Sequence, residues 1–273
     1  LVDPQFCASR FNHVILQLPL PNDTCWLECT SKITPFDFAG RSTASHHALI
    51  VKDQGSYLTQ VRDYEMNQSL ISQSSELYYN AGQTRSVHKI EFDQLDFDAY
   101  LSLTKLNEKD LHEWLADRLY GSNPLVEEVT VQRDDSLRTL ALRARVNEGE
   151  VYKKLGKYLV VNPLRLKSDL PVLPEDAHRE KPIYFPYDAE ENTKVKIAIP
   201  KGYQLKSLPP ATTSKNEFGS YQLTYHQTKE SVVVSFNCQL KKQELAAERY
   251  AEIRDFLQVL KTIAQQKIVF TPA

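Results

Sequence analysis

The sequence predicts an α+β chain that is mainly β. Three observations carry this. Eight segments beyond residue 68 alternate apolar and polar side chains or run β-branched, as strands do; only two stretches space apolar residues three and four apart, as helices do; and Pro, Gly, Asn and Asp punctuate the rest. So many strands must stack or curl to bury a face, giving a β-sandwich-like body with two helices.

In chain order, NHVILQL (12–18) and TCWLEC (24–29) read as strands joined by PLPND, whose prolines and Asn-Asp break a ladder and favour a turn. SKITPFDFAGRSTAS (31–45) has no periodicity and reads as a loop wrapping the surface. HALIV (47–51) and SYLTQV (56–61), split by KDQG, read as a second hairpin. The later strand-like runs are SLISQSSELYYN, SVHKIEFDQLDF, EEVTVQ, TLALRARV, YLVVNP, KVKIAI, YQLTYH and SVVVSFNCQL. A helix is predicted near 107–120, with Asn107 as cap and Leu111, Trp114, Leu115 and Leu119 on one face. A second is predicted near 244–264, its stripe formed by Ala246, Tyr250, Ile253, Leu257, Leu260 and Ala264, with acids early and Lys261 late. Both stripes read as core-packing faces. The proline-rich stretch 162–182 reads as an extended cover strand or a crossing between sheets, DAEEN (188–192) as a solvated turn and PKGY (200–203) as a tight turn.

Composition excludes several function classes. The 33 basic and 35 acidic side chains are interspersed, leaving a net charge of −2 and no basic block to displace counterions from a nucleic-acid backbone. No apolar run approaches the roughly 20 residues of a membrane-spanning helix, and no glycine loop cradles phosphate. No cofactor and no metal are expected: His46 and His47 are adjacent, so on a strand they point to opposite faces. Cys25 and Cys29 would share a strand face but lie about 13 Å apart at ~3.3 Å per residue, too far for a disulfide or a common ion. With Cys238, they read as core thiols.

The candidate chemistry lies in the first hairpin. A histidine acting as general base needs a carboxylate at its other ring nitrogen to fix its tautomer and stabilise the imidazolium, and His13 and Glu28 are such a pair if their faces coincide. Register decides this. A four-residue loop, Pro19 to Asn22, pairs 18 with 23 and sets 13 opposite 28; a five-residue loop sends the two side chains to opposite faces.

FNHVI followed by WLECT resembles the histidine and acid strands of bacterial transglutaminase-like proteins, which carry Trp-Leu-Asp-Pro-Thr at the second place. ITPFDFAGR and HALIV are similar to the stretch after that motif. REKPI (179–183), IPKGYQLKSLP (199–209) and the helix before IVF (268–270) are similar to the β-rich domain of unknown function that follows it in such chains. The resemblance implies catalysis by a cysteine that opens a helix and attacks an amide carbonyl, with His13 as base and Glu28, one methylene longer than the usual Asp, as orienting acid. Such a cysteine stands several tens of residues before the histidine. Cys7 is the nearest candidate, and DPQFCASRFNH shows no helix for it to open.

The expectation is therefore a C-terminal part of such a protein. Residues 1–67 would be the last strands of the transglutaminase-like domain plus a connecting loop, and 68–273 a β-rich accessory domain. Its partners would be an upstream part of its parent chain and a polypeptide substrate, its place the bacterial periplasm or envelope, and alone it would be inactive. The alternative is a non-enzymatic β-sandwich module that binds polypeptide or glycan.

Overall fold

The computed structural model describes residues 11–63, 69–120, 123–175 and 179–273, so Cys7 lies outside the described residues. The elements begin with two antiparallel hairpins, β1 (Leu16–Pro19) with β2 (Thr24–Leu27) and β3 (His47–Ile50) with β4 (Tyr57–Gln60). Then come β5 (Ser69–Asn80), β6 (Gln83–Gln94), α1 (Leu95–Tyr100), α2 (Glu108–Arg118), β7 (Leu125–Asp134), β8 (Thr139–Gly149), β9 (Lys153–Leu155) and β10 (Tyr158–Val161). The chain ends with β11 (Ile183–Phe185), β12 (Ala189–Ala198), β13 (Tyr203–Ser207), β14 (Thr212–Lys215), β15 (Gly219–Gln227), β16 (Ser231–Leu240), β17 (Gln243–Leu245), α3 (Tyr250–Ala264) and β18 (Ile268–Pro272). The protein is α+β and mainly β.

An eight-stranded sheet in the order β14-β15-β16-β12-β5-β6-β8-β7 organises the molecule. Its neighbours are antiparallel except β12 and β5, which run parallel. Because side chains alternate, the register sorts them into two faces. The inner face buries Val232, Val234, Phe236 and Leu240 of β16, Val195 and Ile197 of β12, and Leu140, Leu142 and Val146 of β8. The outer face is polar, with Ser72, Ser74, Lys194, Gln222 and Asn237 along the middle strands.

Two apolar clusters cover the inner face. One joins β12, β15 and β16 to α3 through Ile253 and Leu257, and to a four-stranded sheet, β13-β18-β10-β9, through Leu159, Val161, Ile268 and Phe270. The other joins β6, β8, α1 and α2 to Trp26, Phe38, Ala44 and Val61 from the N-terminal segment. The hairpins are thus anchored on the same sheet as the rest of the chain.

Several expectations need correcting. Residue 18 pairs with Cys25, neither 23 nor 24, because the chain turns through Leu20–Asp23 after Pro19 pairs with Thr24. The 31–45 loop is not a surface wrap: Phe38 is fully buried edge-on against Phe97, and Arg62, Arg133 and Arg138 tie the loop down. The strand-like LDF after Gln94 is helical: α1 buries Leu95, Asp96 and Phe97 in succession, whereas a strand would turn Asp96 to the face opposite Leu95 and Phe97. All of DAEEN but Asp188 belongs to β12, with Glu191 buried, rather than to a solvated turn. The last helix starts at Tyr250, not 244, because β17 and a short 3-10 turn (Ala247–Arg249) use the preceding residues; Tyr250, Ile253 and Leu257 are buried as the stripe predicts. Cys29 is exposed past the end of β2, whereas Cys25 and Cys238 are buried. The 162–175 stretch crosses the core edge and bridges α2 through Leu119 and Leu166.

The α2 cap is as the sequence predicts. Asn107 accepts the Asp110 N–H at 3.0 Å and its amide donates to the Asp110 carboxylate at 2.8 Å. PKGY forms its turn with Gly202 at φ 79° and the Tyr203 N–H donating to Pro200.

Candidate functional site

His13 and Glu28 meet. The imidazole Nε2 donates to Glu28 Oε2 at 2.6 Å. The ladder explains how this survives the altered register. Its last pair is Leu16 with Leu27, so one further step sets Glu28 opposite Ile15, and His13 becomes its diagonal neighbour on the same face. A shift of two residues preserves the face; a shift of one would have reversed it. Diagonal neighbours stand about 7–8 Å apart at the backbone, within reach of a long side chain.

The carboxylate is fixed from behind. Thr30 donates to Glu28 Oε1 through its N–H at 2.8 Å and its hydroxyl at 2.6 Å. Partial burial alone would raise the Glu28 carboxyl, but the Thr30 and His13 hydrogen bonds outweigh it and hold it below the usual glutamate value. Side-chain exposure is 35% for His13 and 13% for Glu28, so the imidazole is the accessible member and the carboxylate the shielded one.

Beside this pair lies a groove of about 870 Å³. One wall is the extended strip from Phe11 to Gln17, including His13; the other is His46 to Lys52 of the second hairpin. Val14, Leu16, Leu49, Val51 and Tyr57 are exposed along it, which makes the walls apolar around a polar pair. That size falls within the range of ligand-binding clefts. His46 and His47 also line it, and His46 Nδ1 bonds to the Ala44 carbonyl. Among the described residues no His, Cys, Asp or Glu cluster could hold a metal ion.

The two buried thiols, Cys25 and Cys238, do not complete the site. Burial raises the Cys25 thiol, and Asp37 raises it further. Burial pushes Cys238 up to about 12. Neither is a thiolate near neutral pH.

A second polar constellation was not singled out from the sequence. Between the two apolar clusters, the inner face carries Gln73, Ser75, Ser86 and His88 on β5 and β6. His88 is bonded to Ser75 at 2.8 Å, to Ser86 at 2.7 Å and to Glu148 at 3.2 Å, and Arg165 donates to Glu148 at 2.7 Å. Burial raises Glu148, but His88 and Arg165 bring it down to about 2. Serine, histidine and glutamate in contact are the types of a nucleophilic triad, yet His88, Ser75, Ser86 and Glu148 are all buried, so the group ties strands together. The sequence did contain its signal: polar residues at inward positions of two otherwise apolar-alternating strands.

Residues 156–270 match a family described as a domain of unknown function with solved structure, DUF3858. The match runs from the β9–β10 turn to β18 and takes in the four-stranded sheet's inner strands, β11–β17 and α3. No curated protein matches the chain.

Proposed function

We propose that His13 and Glu28 are the base and orienting acid of a transglutaminase-like thiol site acting on amides, with the nucleophilic cysteine brought by another segment of polypeptide. The observation that carries this is the 2.6 Å His13–Glu28 contact beside an open groove. With Nε2–H committed to the carboxylate, Nδ1 is the free base. It takes the thiol proton as sulfur attacks the amide carbon, then returns that proton to the departing amine. The thioester is released by water or a second amine, and Glu28 stabilises the imidazolium throughout. The family match over residues 156–270 supports this reading in so far as it takes in the stretches that resemble the β-rich domain following such sites.

The 273-residue chain is expected to give no amide turnover by itself. Joined to, or mixed with, a segment carrying a helix-opening cysteine, it should gain turnover that His13→Ala reduces at least about 100-fold, the scale of general-base catalysis. Turnover by the unsupplemented chain would refute the divided site.

A second reading, a binding module for glycan or polypeptide, is favoured by the outer sheet face. There Ser72, Asn192, Gln222, Thr224 and Asn237 line a depression of about 300 Å³ with Glu91. Amides and hydroxyls suit a hydroxyl-rich ligand. Chemical-shift changes confined to this face on adding oligosaccharides would favour that reading; none would remove it.

A further inference from the structure

We propose that Thr30 is the positioning residue of the His13–Glu28 pair, and that glutamate at position 28 is matched to a diagonal approach that aspartate would not span. This rests on the catalytic reading of the pair. After β2 ends at Leu27 the chain bends at Cys29 and Thr30, which brings the Thr30 N–H and hydroxyl round to one carboxylate oxygen, 2.8 and 2.6 Å from Oε1. That leaves Oε2 for His13.

A free glutamate has three rotatable bonds and loses much rotamer freedom when fixed. Both Thr30 donors act on the same oxygen, so they select one orientation of the carboxylate plane before the imidazole binds. The need for length follows from the ladder. Extending the register one step past its last pair, Leu16 with Leu27, sets Glu28 opposite Ile15, so its carboxylate must reach two residues along to His13, which it meets at 2.6 Å. An aspartate there is one methylene shorter: it could bond the Thr30 donors or the imidazole, but not both.

The test is NMR of the whole chain, following the Glu28 side-chain carboxyl through a pH titration and the exchange of the His13 Nε2 proton. Thr30 is exposed, so substitution should leave the fold intact, which far-ultraviolet circular dichroism checks. In Thr30→Val the carboxyl midpoint should move upward and the Nε2 proton should exchange at least about tenfold faster, as expected for one lost charge-assisted bond. Thr30→Ser should retain both signatures, and Glu28→Asp should lose the protected proton although the charge remains. Wild-type signatures in Thr30→Val, or a fully protected proton in Glu28→Asp, would overturn the proposal. Failure of the catalytic reading looks different: the signatures respond as described, yet a cysteine-supplemented chain shows no turnover.

Discussion

At the residue scale, a carboxylate's surroundings decide whether it works, and this chain sets three glutamates apart. Glu28, partly buried but doubly bonded by Thr30, stays ionised beside His13. Glu148 is fixed as an anion by His88 and Arg165. Glu191 is buried with fewer compensations: Ser168 donates to it at 2.7 Å and the Asp169 N–H at 3.0 Å, and burial still pushes it up to about 7 from an ordinary 4.5. A carboxyl whose folded value is raised holds its proton in the fold, so its contribution is complete below about pH 4.5 and is lost as pH rises through about 7. Glu191→Gln keeps an acceptor for both donors without the charge. Urea unfolding should find it more stable than wild type at pH 8, by about 3 kcal/mol, and equal to it near pH 4.

At the element scale, β15 and β16 pair so closely at Gly219 that a Cβ there would stand 1.9 Å from the Gln239 carbonyl oxygen, a backbone atom that cannot swing away. Gly219→Ala should cost at least about 1–3 kcal/mol, the range for overpacking a filled site, and a lowered unfolding midpoint with β15 amides losing exchange protection would register it. At Gly40 the atoms a Cβ would meet belong to the Asp98 carboxyl, a side chain rather than backbone, which accepts the Arg41 N–H at 3.2 Å. Neither glycine carries a positive φ, so its role is close approach rather than turn geometry. The eight glycines of the sequence look alike in the chain; which of them face a backbone is known only once strands are paired.

For the whole molecule, the eight-stranded sheet carries two apolar clusters on one face with a polar seam between them. Gln73, Ser75, His88, Glu148, Arg165 and Glu191 are all buried in that seam. Arg165 belongs to the crossing after β10 and reaches Glu148 on β8, so the seam joins the two halves of the core. Removing one partner of a buried ion pair leaves the other uncompensated. Arg165→Met is therefore predicted to lose about 3–5 kcal/mol of stability, while His13→Ala, at the exposed end of the first hairpin, should leave the thermal midpoint within a degree or two.

The sequence by itself determined the strand-rich class, because period-two alternation follows directly from which residues face a core; it determined the Asn107 cap and the 200–203 turn, because those depend on three or four neighbouring residues. It also nominated His13 and Glu28. Only the tertiary structure decided the hairpin register, the helical turn after Gln94, the burial of Phe38 and Glu191, and the bend that puts Thr30 behind Glu28. Each depends on what a distant segment places opposite. Local pattern states that a side chain needs a partner, whereas the partner is fixed by long-range packing that no window of sequence contains.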